Sequence, residues 1–221
     1  MEIIELDAPS GRSQILVGAP LASLTERLNG VAAVVITDRT VRRLHGHRFP
    51  PGVPVLAAGR GERRKSLRTA AFLTRSLLRL GADRSTWIVG IGGGIVCDIA
   101  GFVAATALRG LPLALAPTTL LAQADAAVGG KNGVNVRGYK NMAGTIRQPR
   151  FILSDPAVLQ TLPPAELRCG FAEIIKAAAV ADSELFAFLE SNAADLMRLD
   201  PGLTARAVAG AVRIKAAVVG R

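Results

Sequence analysis

Trp87-Ile88-Val89-Gly90-Ile91-Gly92-Gly93-Gly94-Ile95-Val96-Cys97-Asp98-Ile99-Ala100-Gly101 is the stretch whose reading decides the fold. The run from Trp87 to Ile91 is apolar and β-branched, as a strand buried on both faces requires. Gly92-Gly93-Gly94 ends it, and an apolar helix starts at Ile95 with Asp98 and Gly101 in its first turns. Three glycines let the backbone approach a ligand closely, and the free amides and positive dipole end of the following helix suit a pyrophosphate. The spacing departs from G-x-G-x-x-G, because Ile95 stands where the third glycine would be. On this segment alone, a nucleotide site and a plain tight turn both remain open.

Working outward, Val31 to Thr37 and Val53 to Ala58 repeat the strand pattern, each predicted to be buried on both faces. Ser66 to Leu80 carries apolar residues at helical spacing, so strands and helices alternate and predict an α/β domain. Ile3 to Leu6 and Gln14 to Val17 flank Pro9-Ser10-Gly11 as a short hairpin, and a helix is expected near Leu21 to Leu28. Leu113 to Ala116 reads as a strand, Pro117-Thr118-Thr119 as its exit, and Leu120 to Val128 as a helix that carries Asp125. The two threonine hydroxyls are either N-caps or ligand contacts at a strand's carboxyl end.

From Pro156 onward the strand signals stop. Helix starts follow at Pro163-Pro164 before Glu166, Asp182-Ser183 before Glu184, and Asp200-Pro201 before an Ala/Val/Arg stretch. The boundary is therefore placed between 155 and 156: residues 1–155 form the α/β domain, and 156–221 form the first helices of a helical domain that is only begun. Such an unfinished domain is expected to expose the apolar faces of Leu185 to Leu189 and Val208 to Val219.

Composition narrows the function classes. The net charge is +10 over 221 residues, yet the basic residues are scattered and aromatics make up 4% of the chain. That is too few for a stacking platform, so nucleic acid is not expected as a partner and a small anionic substrate is. No run reaches the roughly 18 apolar residues of a membrane span, and Met1-Glu2-Ile3-Ile4-Glu5 lacks the zones of a signal peptide, so no membrane association and a cytoplasmic location are expected. Cys97 and Cys169 lie far apart in apolar helical patterns and read as two buried reduced thiols. His45 and His47, among Arg42, Arg43 and Arg48, read as surface residues.

Lysine usage is selective. Arginine fills 22 positions and lysine only five: Lys65, Lys131, Lys140, Lys176 and Lys215. Lys131 follows Gly129-Gly130 and Lys140 follows Gly138-Tyr139, in stretches that read as loops, where functional groups concentrate. An ammonium contacts phosphate or hydroxyl oxygens as a point charge, which a planar guanidinium does not copy. Glu173 and Lys176, three apart on one helix, form a surface ion pair, or a partly enclosed carboxylate that holds a cation.

Taken together, these residues resemble the 3-dehydroquinate synthases, within the wider sugar-phosphate cyclases. The matching blocks are Gly92 to Phe102, Leu108-Arg109-Gly110, Pro117 to Gln123, Asp125 to Asn135 and Lys140-Asn141-Met142. They continue through Gln148-Pro149, Thr161-Leu162-Pro163 and Gly170 to Lys176, in order and spacing from about Asp38 to Val219. The resemblance implies a Rossmann-like NAD-binding domain followed by an all-helical metal-binding domain. It further implies an NAD- and zinc- or cobalt-dependent lyase of the shikimate pathway that turns 3-deoxy-D-arabino-heptulosonate 7-phosphate into 3-dehydroquinate and phosphate, as a homodimer in its full-length form.

Carried over by position, the resemblance implies that Asp38, Glu62, Lys65, Gly93, Gly94, Ile95, Asp98, Thr118, Thr119, Leu121, Thr161 and Leu162 hold NAD. Asp125, Lys131, Lys140, Asn141, Arg109, Lys176 and Lys215 would contact substrate, and Glu173 would be the first metal ligand. Departures from the pattern are Ala126-Ala127, where two serines are common, and Cys97, where a small residue is usual. Family members continue past this point with two further histidine metal ligands. A related cyclase of the valiolone or inosose type, and an inactive nucleotide-binding fragment, are the competing readings.

Overall fold

The computed structural model describes residues 1–220. A hairpin of β1 (Glu2–Ala8) and β2 (Gly11–Val17) leads through α1 (Leu24–Arg27) to β3 (Ala33–Thr37), α2 (Arg39–His45) and β4 (Val55–Ala57). Next come α3 (Leu67–Arg79), β5 (Trp87–Gly92), α4 (Gly94–Thr106) and β6 (Leu113–Pro117). A π-helical segment (Ala122–Ala126), the hairpin of β7 (Lys131–Val136) and β8 (Tyr139–Ile146), and β9 (Phe151–Ser154) follow. The chain finishes in α5 (Pro164–Ala181), α6 (Ser183–Ser191), α7 (Ala193–Met197) and α8 (Pro201–Val219).

Seven strands form one sheet in the order β1-β2-β9-β6-β5-β3-β4, with every neighbouring pair parallel except β1 with β2. The α/β expectation holds. From β3 the chain steps outward to β4, then returns to lay β5 on the other side of β3, so the direction of winding reverses between β3 and β5. Open α/β sheets bind ligands in the crevice outside such a reversal. Here the two carboxyl ends are stitched by the Thr37 hydroxyl, which donates to the Ile91 carbonyl at 2.7 Å.

Side chains alternate across the strands, so each face has its own core. Val34, Ile36 and Ile88 meet Leu73, Leu77, Ile99 and Val103 on the α3–α4 face, while Val35, Val89 and Ile91 meet Leu24, Val41 and Phe49 on the other. In α3 the buried Ala70, Leu73 and Leu77 recur at helical spacing, and the Ser66 hydroxyl accepts from the Thr69 amide at 3.3 Å to cap its start. Leu73 and Leu77 are 0% and 1% exposed, each contributing roughly 1.5–3 kcal/mol of apolar transfer.

Several local expectations are corrected. β4 spans only Val55–Ala57 and is half-buried, because it is the sheet's edge and has a neighbour on one side alone. The loop expected around Lys131 and Lys140 is a hairpin that packs against α4. Cys169 is exposed: Leu167, Phe171 and Ile174 form the buried stripe of α5 and leave position 169 on its outer face. Leu185, Leu189, Val208 and Val212, expected to be open to solvent, are buried because α5, α6 and α8 pack on one another, with α5 and α8 also packing on the π-helical segment. Val180 and Val218 remain exposed.

Candidate functional site

The site is built on the glycine turn. Gly93 caps α4 with extended backbone and no side-chain cap, so the first amides of this 13-residue helix point outward without an internal acceptor. A Cβ at Gly93 would sit 3.0 Å from the Thr119 methyl, and one at Gly94 would sit 3.4 Å from Ala126. The turn is therefore a narrow cradle between α4 and the segment after β6, open only because side chains are missing. The Thr118 amide donates to the Gly92 carbonyl at 2.9 Å, and Thr119 Oγ1 accepts from the Ala122 amide at 3.3 Å. The cap expected of these threonines is thus present at Thr119, at the same wall where the ligand contact would be.

Four of the predicted residues converge directly. Lys65, 6% exposed, donates from Nζ to Asp98 Oδ2 and to Asn141 Oδ1. The Asn141 amide donates to Asn135 Oδ1 at 2.9 Å, and Asn135 Nδ2 donates to Glu62 Oε1 at 2.7 Å. The loop after β4, the first turns of α4 and the β7–β8 hairpin are thereby tied together at one place. Burial pushes the Asp98 carboxyl above its usual range, only partly offset by the Lys65 bond and charge, with Glu62 adding to the rise. Asn141 adopts φ +57, a left-handed conformation in which asparagine is tolerated better than most residues.

Other predicted residues occupy separate positions around this centre. Lys215 on α8 donates to Asp125 Oδ1 at 2.6 Å, joining the last helix to the π-helical segment. A π turn commonly marks a functional position, and here it replaces the ordinary helix expected over Leu120 to Val128. Glu173 and Lys176 form an ion pair along α5. Asp38 sits at the end of β3 with Oδ1 accepting from the amides of Thr40 and Val41 at 2.7 and 2.9 Å. Ile95 is half-buried in the first turn of α4, and Leu121 is partly exposed.

Leu108 and Arg109 both carry positive φ, +51 and +67, next to Gly110. Strain of this kind at non-glycine residues persists only where surroundings impose it and clusters at functional sites. Lys131 and Lys140 are exposed on the hairpin, and neither forms an ion pair among the described residues.

Three contributors escaped the sequence reading. Asn135 links Glu62 to Asn141, though nothing in its sequence position distinguishes it from Asn132. His45 is 4% exposed and faces Thr161 Oγ1 at 3.0 Å; the Thr161 hydroxyl donates to the Val158 carbonyl at 3.0 Å, which leaves it to accept from His45 Nε2. Burial, then the nearby Arg48 and His47 charges, hold His45 below its usual range, against a smaller opposing effect of Asp155. The spacing of His45 four residues from buried Val41 carried this signal. Asp155, 7% exposed, accepts from the Leu21 and Ala157 amides, and Gln123 donates to the Asp155 carbonyl at 2.9 Å.

The cradle and its uncapped amides fit a dinucleotide pyrophosphate. A metal fits less well: among the described residues no three His, Cys, Asp or Glu side chains converge, and the Glu173 carboxylate is paired with Lys176.

Residues 55–169 match the family model for the 3-dehydroquinate synthase N-terminal region, and 170–221 match that for its C-terminal region. A 3-dehydroquinate synthase of Dehalococcoides mccartyi is 39% identical over 231 residues, covering 99% of this chain and 64% of the relative. One of Solibacter usitatus is 45% identical over 170 residues, covering 76% of this chain and 48% of the relative. The chain thus spans less than two thirds of these relatives' lengths.

Among solved structures, the 2-epi-5-epi-valiolone synthase of Streptomyces hygroscopicus subsp. jinggangensis, with NAD+ and Zn2+ bound, superposes with a TM-score of 0.82 at 30% identity, covering 97% of this chain and 61% of that one. A 2-deoxy-scyllo-inosose synthase complexed with carbaglucose-6-phosphate, NAD+ and Co2+ shares the fold, with a TM-score of 0.82 at 24% identity over 100% of this chain and 64% of that one. No helix among the described residues is long and apolar enough to cross a membrane.

Proposed function

Because the chain belongs to the 3-dehydroquinate synthase family, we propose that it supplies the NAD-binding domain and the first helices of the metal-binding domain of an enzyme that converts 3-deoxy-D-arabino-heptulosonate 7-phosphate into 3-dehydroquinate and phosphate. In this reading the division falls between 155 and 156, after the last strand. The protein would serve the shikimate pathway, and with it aromatic amino acid biosynthesis, as a cytoplasmic homodimer. Zinc or cobalt would be the metal, held at Glu173 with donors beyond those described. The observation that carries the reading is the cradle of Gly93 and Thr119 beside the buried Lys65, which is bonded to Asp98 and Asn141.

When bound, NAD would accept a hydride from a substrate carbinol and return it later in the cycle. The protein's own groups divide the remaining work. Gly93, Gly94 and Ile95 would present backbone amides to the pyrophosphate, with Thr118, Thr119 and Leu121 walling one side. Asp38, Glu62, Thr161 and Leu162 would hold the cofactor's outer parts. Lys65 and Asp98 would fix its orientation, their mutual bond keeping both side chains in one geometry. Lys131, Lys140, Arg109, Lys176 and Lys215 would gather the phosphate and carboxylate of the substrate, with Asp125 and Asn141 taking hydroxyls.

A valiolone- or inosose-type cyclase is the second reading, favoured by the likeness to the Streptomyces enzyme; turnover of the respective sugar phosphates separates the two. The primary test is calorimetric titration of this chain with NAD and, separately, with zinc. NAD binding together with weak or no stoichiometric zinc binding is the expected result. Absence of NAD binding would overturn the reading and leave an inactive fragment.

A further inference from the structure

We propose that His45 is a positioning residue for the cofactor: its ring anchors the far end of the segment from Asp155 to Leu162, and so sets where Thr161 and Leu162 meet the dinucleotide. The inference rests on the dinucleotide reading of the glycine turn and on the place given there to Thr161 and Leu162. The segment joins β9 to α5 through a short 3-10 helix, Pro156–Thr161. Its start is held from several sides. The Asp155 carboxylate accepts from the amides of Leu21 and Ala157 at 2.8 and 2.9 Å, and the Asp155 carbonyl accepts from Gln123 Nε2 at 2.9 Å.

The far end has a single outside tie. The Leu162 amide donates to the Leu159 carbonyl at 2.9 Å and the Thr161 hydroxyl to the Val158 carbonyl at 3.0 Å, both within the segment. Only the bond from His45 Nε2 to Thr161 Oγ1, 3.0 Å long, reaches a residue distant in sequence. With its proton given to Val158 and a lone pair taken by His45, the Thr161 hydroxyl faces inward. What the segment turns outward is the exposed remainder of Thr161 and the half-buried Leu162, and their placement depends on the His45 bond.

Any apolar side chain of similar size would fill this space, but only a donor makes the bond. Histidine also makes it conditional on charge. Nε2 already carries the donated proton, so a second one goes to Nδ1. The charge it brings would sit where the residue is 4% exposed, facing Arg48 and His47 of the turn after α2, with Asp155 as the opposing charge. Burial and the two basic neighbours favour the neutral ring, which is the form that seats on Thr161. On acidification the charged ring is driven toward water and releases the segment.

The test is calorimetric titration of this chain, His45→Gln and His45→Leu with NAD from about pH 8 to about pH 5, with urea unfolding of each protein alongside. Glutamine keeps a donor and does not titrate; leucine keeps the volume and has no donor. At the upper pH the glutamine variant should bind NAD nearly as tightly as the parent, and the leucine variant on the order of tenfold more weakly at a similar urea midpoint. Because His45 is held below 6.5, the parent's affinity should fall only below that pH, toward that of the leucine variant, while His45→Gln shows no such fall. Parallel profiles for the parent and His45→Gln, or undiminished NAD binding by a folded His45→Leu protein, overturn this inference and leave the dinucleotide reading standing. Absence of NAD binding by the parent removes that reading and this inference with it. If the leucine variant does not fold, the comparison of the parent with His45→Gln decides alone.

Discussion

Lys65 and Asp98, from a loop and a helix 33 residues apart in sequence, are joined in a buried ion pair beside the first turn of α4. Their side chains are 7% and 22% exposed, so water does little to screen either charge. Removing one partner would leave the other charge enclosed, which is more damaging than replacing both. Lys65→Met is expected to lose roughly 3–5 kcal/mol in urea unfolding, and adding Asp98→Leu to recover part of it. A loss below about 1 kcal/mol would mean the pair is as loosely held as a surface bridge.

Two buried titrating groups make opposite contributions to stability against pH. His45 is held below its ordinary value of 6.5, so on acidification the unfolded chain takes up the proton first. Its contribution is present above about pH 6.5 and is lost as the pH falls toward the lowered value. Asp98 is raised above 3.8, so the folded chain holds its proton longer, and this group's contribution declines as pH rises from 3.8 through the raised value. Denaturant midpoints between pH 7 and 5 should therefore fall less steeply in His45→Gln than in the parent. Asp98→Asn should remove the opposing component, so that its stability falls more steeply than the parent's as the pH drops toward 3.8. Parallel curves for all three proteins would refute both assignments.

Much of this was legible because strands and helices announce themselves locally. The run Trp87 to Ile91 followed by three glycines placed β5 and α4, and Asp182 and Asp200 placed the starts of α6 and α8, where they accept from the Leu185 and Leu203 amides. What escaped depends on partners distant in sequence. His45 reads as polar until Thr161, 116 residues away, meets it. Asn135 and Asn132 look alike in sequence, yet only Asn135 bonds to Glu62, 73 residues away. The hairpin at Lys131 to Ile146 was missed because Gly133 and Gly144, opposite one another, weaken the alternation that marks strands.

Lys215 and Asp125 offer a measurement of how α8 is held to the π-helical segment. Each side chain is about one third exposed, 31% and 32%, and the bond is 2.6 Å long. Solvent therefore screens the pair substantially, and apolar packing by Val208 and Val212, both 0% exposed, should dominate that contact. A double-mutant cycle with Lys215→Met and Asp125→Asn is expected to give a coupling of no more than about 1 kcal/mol, whereas Val212→Ala alone should exceed it. The reverse order would make the ion pair the principal tie.

Gly93 separates folding from cofactor binding. Its backbone, φ −72 and ψ −178, is accessible to any residue, so a side chain there introduces no conformational strain. What it introduces is volume: a Cβ would already stand 3.0 Å from the Thr119 methyl, and the branches of valine would extend into the cradle in front of the α4 amides. Gly93→Val should therefore keep a urea midpoint close to the parent's while weakening NAD binding on the order of tenfold or more, since a pyrophosphate displaced from those amides loses charge-assisted hydrogen bonds of about 1.5–3 kcal/mol each. Calorimetry with NAD and urea unfolding of the same preparation give the two readings side by side. Undiminished NAD binding in a folded Gly93→Val protein would move the pyrophosphate away from this turn, and with it the roles assigned to Gly94, Ile95 and Thr119.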